Sequence, residues 1–315
     1  MIATVTANPC IDKTVAVEEF DLYRMNRVRV LCTDPSGKGI NVSKALHAIG
    51  VETLCVGFDF TEEGRSPLVA DLETCGIPHG LVPVSGALRV CTKLFDESRR
   101  HTIEINERGA SVTAADGDRL LQKIEEVARR CSFLTLSGSL PQGLERDFYA
   151  RCVHHVKQVA PTCRVVVDAE GALLTEALAA APFLIKPNIH EFEATFSCPI
   201  ADVAALDRKV QEIFTCYDVE MICVSLGEKG AYIATREQAY YCQPVPVEIR
   251  SLQGAGDAMV AGICAALEQG SALSEVLRHG VAMAGAAIAT EGTRPGTKQQ
   301  LEALLALNIP VQKLR

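Results

Sequence analysis

Residues 251–262 read SLQGAGDAMVAG. Gly254 and Gly256 bracket Ala255, Asp257 follows, and an apolar pattern of helical period then runs on to about residue 268. Glycines give the backbone the freedom that a tight turn into a helix needs. The helix N-terminus that follows favours negative charge, so Asp257 suits a helix start as a cap. The same geometry leaves backbone N–H groups free to hold a phosphate. A carboxylate beside a bound polyphosphate points to phosphoryl transfer, and the rest of the chain decides between the two roles.

Outward from this stretch, short β-branched runs alternate with longer segments of helical period. Strand-like runs lie at 2–6, 54–58, 133–136, 165–167, 183–185, 221–225 and 231–234. Helix-like segments lie at 41–49, 66–75, 115–130, 146–159, 189–196, 203–214, 257–268 and 274–290. The alternation predicts an α/β fold with a largely parallel sheet. Strands that are apolar throughout predict helices on both faces. Residues 14–32 and 88–105 break the rhythm, because strand-like residues there are interleaved with charge. They predict half-exposed antiparallel strands with no helix to cover them, forming a small separate sheet. That sheet is either a lid over a site or an edge hairpin. Its two segments come from different parts of the chain, which predicts one unit over 1–315 with the small sheet inserted.

Composition narrows the function classes. The 315 residues are 48% hydrophobic and 22% charged, an ordinary globular balance. A formal net charge of −8 argues against a general nucleic-acid surface. An anionic ligand then needs a local basic cluster. Thirteen cysteines are scattered with no C-x-x-C pair, and the N-terminus has no export signal, which predicts unpaired thiols in a reducing cytoplasm. No run reaches the roughly 18 apolar residues of a membrane helix.

Familiar phosphate and metal motifs are missing. There is no G-x-x-x-x-G-K-[ST] and no H-E-x-x-H, and Met259 stands where G-x-G-x-x-G needs its third glycine. What remains is a set of glycine-rich turns after strand-like runs. Ser36-Gly37-Lys38-Gly39 leads into a helix near Asn41; the glycines admit a ligand to the backbone, while Asn41 is also an ordinary cap. Ser137-Gly138-Ser139 follows the run at 133–136 and sits where a βα loop lines a site. Lys186-Pro187-Asn188 is followed by Glu191, a pair suited to hydrated magnesium or to a capping box. Ser225 to Gly230 is a simple strand–strand turn or a nucleotide-phosphate loop. Turns at the carboxyl ends of parallel strands are where open α/β sheets bind ligands.

In order along the chain, TVTANPCIDKTV, SGKGINVSKAL, SGSLPQG, KPNIHEFE, VSLGEKGAY, GAGDAMVAG and ATEGT resemble the ribokinase-like sugar kinases, in particular their phosphofructokinase B branch. The resemblance implies a three-layer α/β/α Rossmann-like core with a β-sheet lid, and ATP with Mg2+ as phosphoryl donor. It implies that Asp257 is the catalytic base and that the backbone of Gly254, Ala255 and Gly256 forms the anion hole. Asp12 would hold sugar hydroxyls, with Gly37, Gly39, Asn41 and Ser137 also at the sugar. Lys186, Asn188, Ser225, Gly227 and Gly230 match positions near the nucleotide, with Asn188 and Glu191 tied to magnesium through water.

The lid segments carry Arg24, Arg27, Arg89, Arg99 and Arg100, a local basic set suited to a sugar phosphate. Arg27 and Arg89 match the branch's phosphate-contacting region best. HTIEINERG, at 101–109, is similar to a stretch of bacterial 1-phosphofructokinases and tagatose-6-phosphate kinases. Leu252, Gln253, Ala258 and Ser36 depart from the branch's usual residues. The resulting expectation is an ATP-dependent kinase that converts fructose 1-phosphate to fructose 1,6-bisphosphate. Tagatose 6-phosphate or fructose 6-phosphate is the close alternative, and a ribokinase-type or nucleoside kinase is a weaker one. A non-catalytic sugar-phosphate sensor is the rival from another class. The lid's exposed strand edges predict a homodimer paired through them.

Overall fold

A computed structural model describes residues 1–62, 66–290 and 292–315; Glu291, inside the ATEGT motif, lies outside the described residues. The chain runs through β1 (Ile2–Thr6), β2 (Cys10–Val17), β3 (Arg29–Ser36), α1 (Lys38–Ala48), β4 (Thr53–Phe60), α2 (Pro67–Thr74), β5 (His79–Val84), β6 (Arg89–Asp96) and β7 (His101–Asn106). Next come α3 (Ala114–Ala128), β8 (Phe133–Ser137), α4 (Phe148–Val159), β9 (Arg164–Asp168), α5 (Gly171–Ala179), β10 (Leu184–Ile185), α6 (Ile189–Phe196) and α7 (Val203–Cys216). The last elements are β11 (Met221–Ser225), β12 (Ala231–Ala234), β13 (Ala239–Cys242), α8 (Ala255–Glu268), α9 (Leu273–Ile288), α10 (Lys298–Leu305) and β14 (Val311–Lys313).

The apolar runs pair into a sheet of order β14-β13-β12-β11-β10-β9-β8-β1-β4-β5. From β5 to β11 every pairing is parallel; β12, β13 and β14 continue antiparallel. All five residues of β1 are buried, as a strand covered on both faces requires. Ala3 and Val5 join a core that includes Leu120, Phe148, Leu174, Phe192 and Leu206, beneath α3 to α7. Ile2 joins the opposite core, with Val42, Val260 and Val281 from α1, α8 and α9. This is the expected three-layer α/β/α arrangement.

The charged segments form the second sheet, of order β3-β2-β6-β7. Its outer pairs are antiparallel as expected, but the central pair, β2 with β6, is parallel. The cause is topological. Both strands leave the carboxyl edge of the large sheet, β2 after β1 and β6 after β5, so they run the same way.

Helix α1 starts at Lys38, so Asn41 lies inside its first turn rather than capping it. A Cβ at Gly39 would lie 2.6 Å from both Thr6 Oγ1 and Val5 O. That glycine is fixed by the close approach of α1 to β1.

Candidate active site

At the carboxyl edge of the parallel strands, the ends of β1, β8, β9, β10 and β11 face the first turns of α1, α6 and α8. Asp257 lies in the first turn of α8, behind Gly254, whose φ of 71° suits glycine. Helix geometry leaves the N–H groups of Ala255, Gly256 and Asp257 without intrahelical acceptors. The Asp257 carboxylate is buried and its Oδ2 accepts a 2.8 Å hydrogen bond from Asn41 Nδ2. Asn41 Oδ1 in turn accepts from Ser36 Oγ at 3.1 Å. Burial, and then the nearby charge of Asp168, push the Asp257 carboxyl up to about 6, against the pull of Lys38, Asn41 and Lys186.

Sequence reasoning missed two members of this cluster. Asp168 ends β9 and is fully buried, with Oδ1 3.3 Å from Lys38 Nζ and 3.4 Å from Lys186 Nζ. Burial opposes its ionisation, but the two ammonium groups outweigh that and hold its carboxyl below the usual range. Its Oδ2 has no hydrogen-bond partner among the described residues. Lys38 also reaches Glu191 Oε1 at 3.5 Å. Burial opposes the charge of Lys38; Asp168, Glu191 and Asp257 overcome it and raise its ammonium above the usual value. A signal for Asp168 was available, since a carboxylate closing the apolar run RVVVD opens onto the ligand edge of the sheet. Lys38 stood inside the SGKG motif, where the glycines carried the reading.

Just after β10, Lys186 is buried and lies over Gly256: a Cβ built there would sit 3.5 Å from Lys186 Nζ. The turn at Gly254–Gly256 therefore opens on a hollow bounded by an ammonium. Asn188 and Glu191 form a reciprocal capping box on α6, each backbone N–H donating to the other's side-chain oxygen at 2.8 Å. An isolated bridge pairs Asn188 with Ser225, which puts both loops side by side. Gly227 has a φ of 60° and open space around it. Gly230 has a packing reason of its own, because a Cβ there would collide with the Cys242 carbonyl.

On the second-sheet side, Asp12 is buried, with Lys93 Nζ 3.3 Å from its Oδ1. Cys10 Sγ lies 3.8 Å from the same oxygen. The neighbouring Cys91 and burial push the Cys10 thiol up, while Cys10 and the Arg89 guanidinium hold Cys91 down to about 7. Gln253 Nε2 donates to Thr14 Oγ1 at 3.3 Å, tying the turn before α8 to β2. Ser137 Oγ, at the end of β8, is buried without a hydrogen-bond partner among the described residues.

Of the lid arginines, Arg89 reaches the mouth: its Nη2 donates to Asn8 O at 2.9 Å and to Ser139 Oγ at 3.5 Å. Arg27 does not. It precedes Arg29, the end of β3 remote from Ser36, and a strand of eight residues spans about 25 Å. Arg24 and Arg99 are paired with Asp21 and with Glu19 and Asp96.

Carboxylates held between lysines, facing a helix N-terminus at the ligand edge of a doubly wound sheet, are the equipment of enzymes that move anionic groups. The chain belongs to the pfkB family of carbohydrate kinases, whose profile matches residues 5–300. It is 33% identical over 268 residues to a 1-phosphofructokinase of Xanthomonas campestris pv. campestris, covering 84% of this chain and 83% of the relative. It is 30% identical over 283 residues to a tagatose-6-phosphate kinase of Staphylococcus epidermidis, covering 88% and 89%. The crystal structure of Escherichia coli phosphofructokinase-2 in complex with substrates and products superposes with a TM-score of 0.89 at 26% identity, over 97% of this chain and 98% of that one.

Proposed function

We propose that the enzyme transfers the terminal phosphoryl group of ATP to a ketohexose phosphate, with fructose 1-phosphate as its substrate and fructose 1,6-bisphosphate as product. The observation that carries this reading is Asp257: a buried carboxylate at a helix N-terminus, with its pKa raised toward neutrality, beside a hollow lined by backbone N–H groups and Lys186. A carboxylate of this kind accepts the proton of the attacking sugar hydroxyl. The N–H groups of residues 255–257, with Lys186 and Lys38, then stabilise the charge on the transferring phosphoryl group. Asp12 orients sugar hydroxyls, and Arg89 at the mouth supplies a bidentate donor for the phosphate the sugar already carries.

Magnesium fits the donor set. Asp168 Oδ2 is a buried carboxylate oxygen with no partner among the described residues, and Lys38 bridges Asp168 to Glu191 of the Asn188–Glu191 turn. Bound with ATP, the ion neutralises phosphate charge. The relatives named 1-phosphofructokinase and tagatose-6-phosphate kinase support a phosphorylated ketohexose as acceptor.

The second sheet acts as a lid over the sugar side, tied to the turn before α8 by the Gln253–Thr14 bond. Its exposed apolar side chains, among them Leu22, Tyr23, Met25, Val30 and Leu31, support pairing of two chains through it. Thirteen unpaired thiols fit a reducing cytoplasm.

A coupled ADP-release assay with Mg-ATP across fructose 1-phosphate, fructose 6-phosphate, tagatose 6-phosphate, fructose and ribose tests the reading. The highest kcat/KM is expected on fructose 1-phosphate. Preference for a free sugar would remove the role assigned to Arg89.

A further inference from the structure

Cys10, Asp12 and Cys91 meet where β2 and β6 run side by side, and nothing in phosphoryl transfer requires two thiols there. The two sulfurs and one Asp12 carboxylate oxygen all lie within 4.8 Å of one another. Cys10 Sγ and Asp12 Oδ1 are already 3.8 Å apart. Tetrahedral zinc, with Zn–S of about 2.3 Å and Zn–O of about 2.0 Å, sets its ligand atoms roughly 3.5–3.8 Å apart, so this trio needs a closure of at most about 1.3 Å. We propose that Cys10, Asp12 and Cys91 form a binding site for a thiophilic divalent cation of the zinc class, and that the bound ion shuts the sugar site.

Charge and topology both support it. Without metal, Asp12 is compensated by Lys93 at 3.3 Å. Binding M2+ forms two metal–sulfur bonds and releases the protons the thiols still carry. Two thiolates, Asp12, Lys93 and the dication then sum to zero charge, which removes the main electrostatic obstacle to burying the ion. Two thiolates select zinc-class ions over magnesium, so the Mg-ATP chemistry does not saturate the site.

Residues 10, 12 and 14 share one face of β2, and Thr14 on that face is held by Gln253 of the turn before α8. The trio therefore looks into the cleft that contains Asp257. Three protein ligands leave a fourth position open toward that cleft. The inhibitory consequence rests on the proposed role of Asp12 in holding sugar hydroxyls; the binding site itself does not.

The test uses the full-length enzyme, reduced, stripped of metal and free of nucleotide, titrated with Co2+ and then Zn2+. A thiolate-to-cobalt charge-transfer band is expected, displaced by zinc. Cys91→Ser and Cys10→Ser should each weaken this uptake at least tenfold, with melting curves showing that each variant folds. The double variant Cys75→Ser/Cys216→Ser, which removes the two exposed thiols, should retain it. Should a buried-site variant fail to fold, X-ray absorption of the zinc-loaded wild type reads the ligands directly, and two sulfurs with oxygen are expected.

Zinc should raise KM for the sugar phosphate in the wild type and leave KM of Cys91→Ser unchanged. No cobalt–thiolate band, a band unaltered in Cys91→Ser, or one lost with the exposed pair overturns the site. An enzyme inactive on every sugar phosphate that still shows the Cys91-dependent band keeps the metal site and removes the functional reading instead.

Discussion

Asp257 carries opposite consequences for catalysis and for stability, and both follow from its burial. A carboxyl poised at about 6 is ionised at neutral pH yet basic enough to take a hydroxyl proton. The kcat/KM profile should therefore rise with pH through about 6 on its acid limb, read from initial rates at constant ionic strength; a limb near 4 would mean that Asp257 is not the titrating base. Unfolded, the same carboxyl titrates near 3.9. Between about pH 4 and 6 the folded state thus binds more protons than the unfolded one, and this group's contribution to stability falls as pH rises across that window. Asp257→Asn keeps an acceptor for Asn41 and removes the buried charge. Its melting temperature should exceed that of wild type by a few degrees at pH 8, and the gap should close below pH 4. Asp168 differs, because two lysines compensate it. Asp168→Ala removes the carboxylate paired with the buried Lys186 ammonium and leaves Lys38 with Glu191, and it should cost about 3–5 kcal/mol in chemical denaturation.

Elements place these residues through close contacts more than through loops. Helix α8 holds Asp257 at a fixed depth because α8 and α9 approach through glycines: a Cβ at Gly262 would lie 2.6 Å from His279 O, and one at Gly280 would lie 2.8 Å from Ile263 Cγ1. Gly262→Ala should therefore destabilise the enzyme by about 1–3 kcal/mol in urea unfolding, the usual cost of overpacking. An unchanged midpoint would show that the helix pair can slide.

The same contacts mark how far the sequence could be read. Long periodic helices such as α3 and strongly apolar strands such as β1 and β11 were legible, because burial imposes their periods. Strand β5 escaped because it carries Gly80 and Pro83, residues tolerated at a sheet edge and atypical inside one. Helix α5, GALLTEALA, is too short and too uniformly apolar to show a period. The parallel pairing of β2 with β6 depends on where two distant segments leave the large sheet, which no local pattern encodes. Within the site, GAGD was legible from its turn chemistry. The Lys38–Asp168–Lys186 cluster was not, since it joins residues up to 148 positions apart only through the sheet. Arg27 was drawn to the site by the family resemblance, and strand length sets it at the other end of its own chain's second sheet.

Across the whole molecule, the proposed reading makes the second sheet the place where a kinase fold with a net charge of −8 meets its anionic substrate. It presents Asp12 and Arg89 toward the large sheet and exposes Leu22, Tyr23, Met25, Val30 and Leu31 elsewhere. Sedimentation at micromolar concentration should show a dimer for the wild type, shifted toward monomer by Leu31→Asp; a monomeric wild type would leave that apolar surface unexplained.

The central claim is that Asp257 is the base of a sugar-phosphate kinase. It is tested most directly by ADP release with Mg-ATP and fructose 1-phosphate, comparing wild type with Asp257→Asn while ligand affinities are measured by calorimetry. Loss of about 10²–10⁴ in kcat with affinities within a few-fold is the predicted result. An Asp257→Asn enzyme that turns over at the wild-type rate would contradict it.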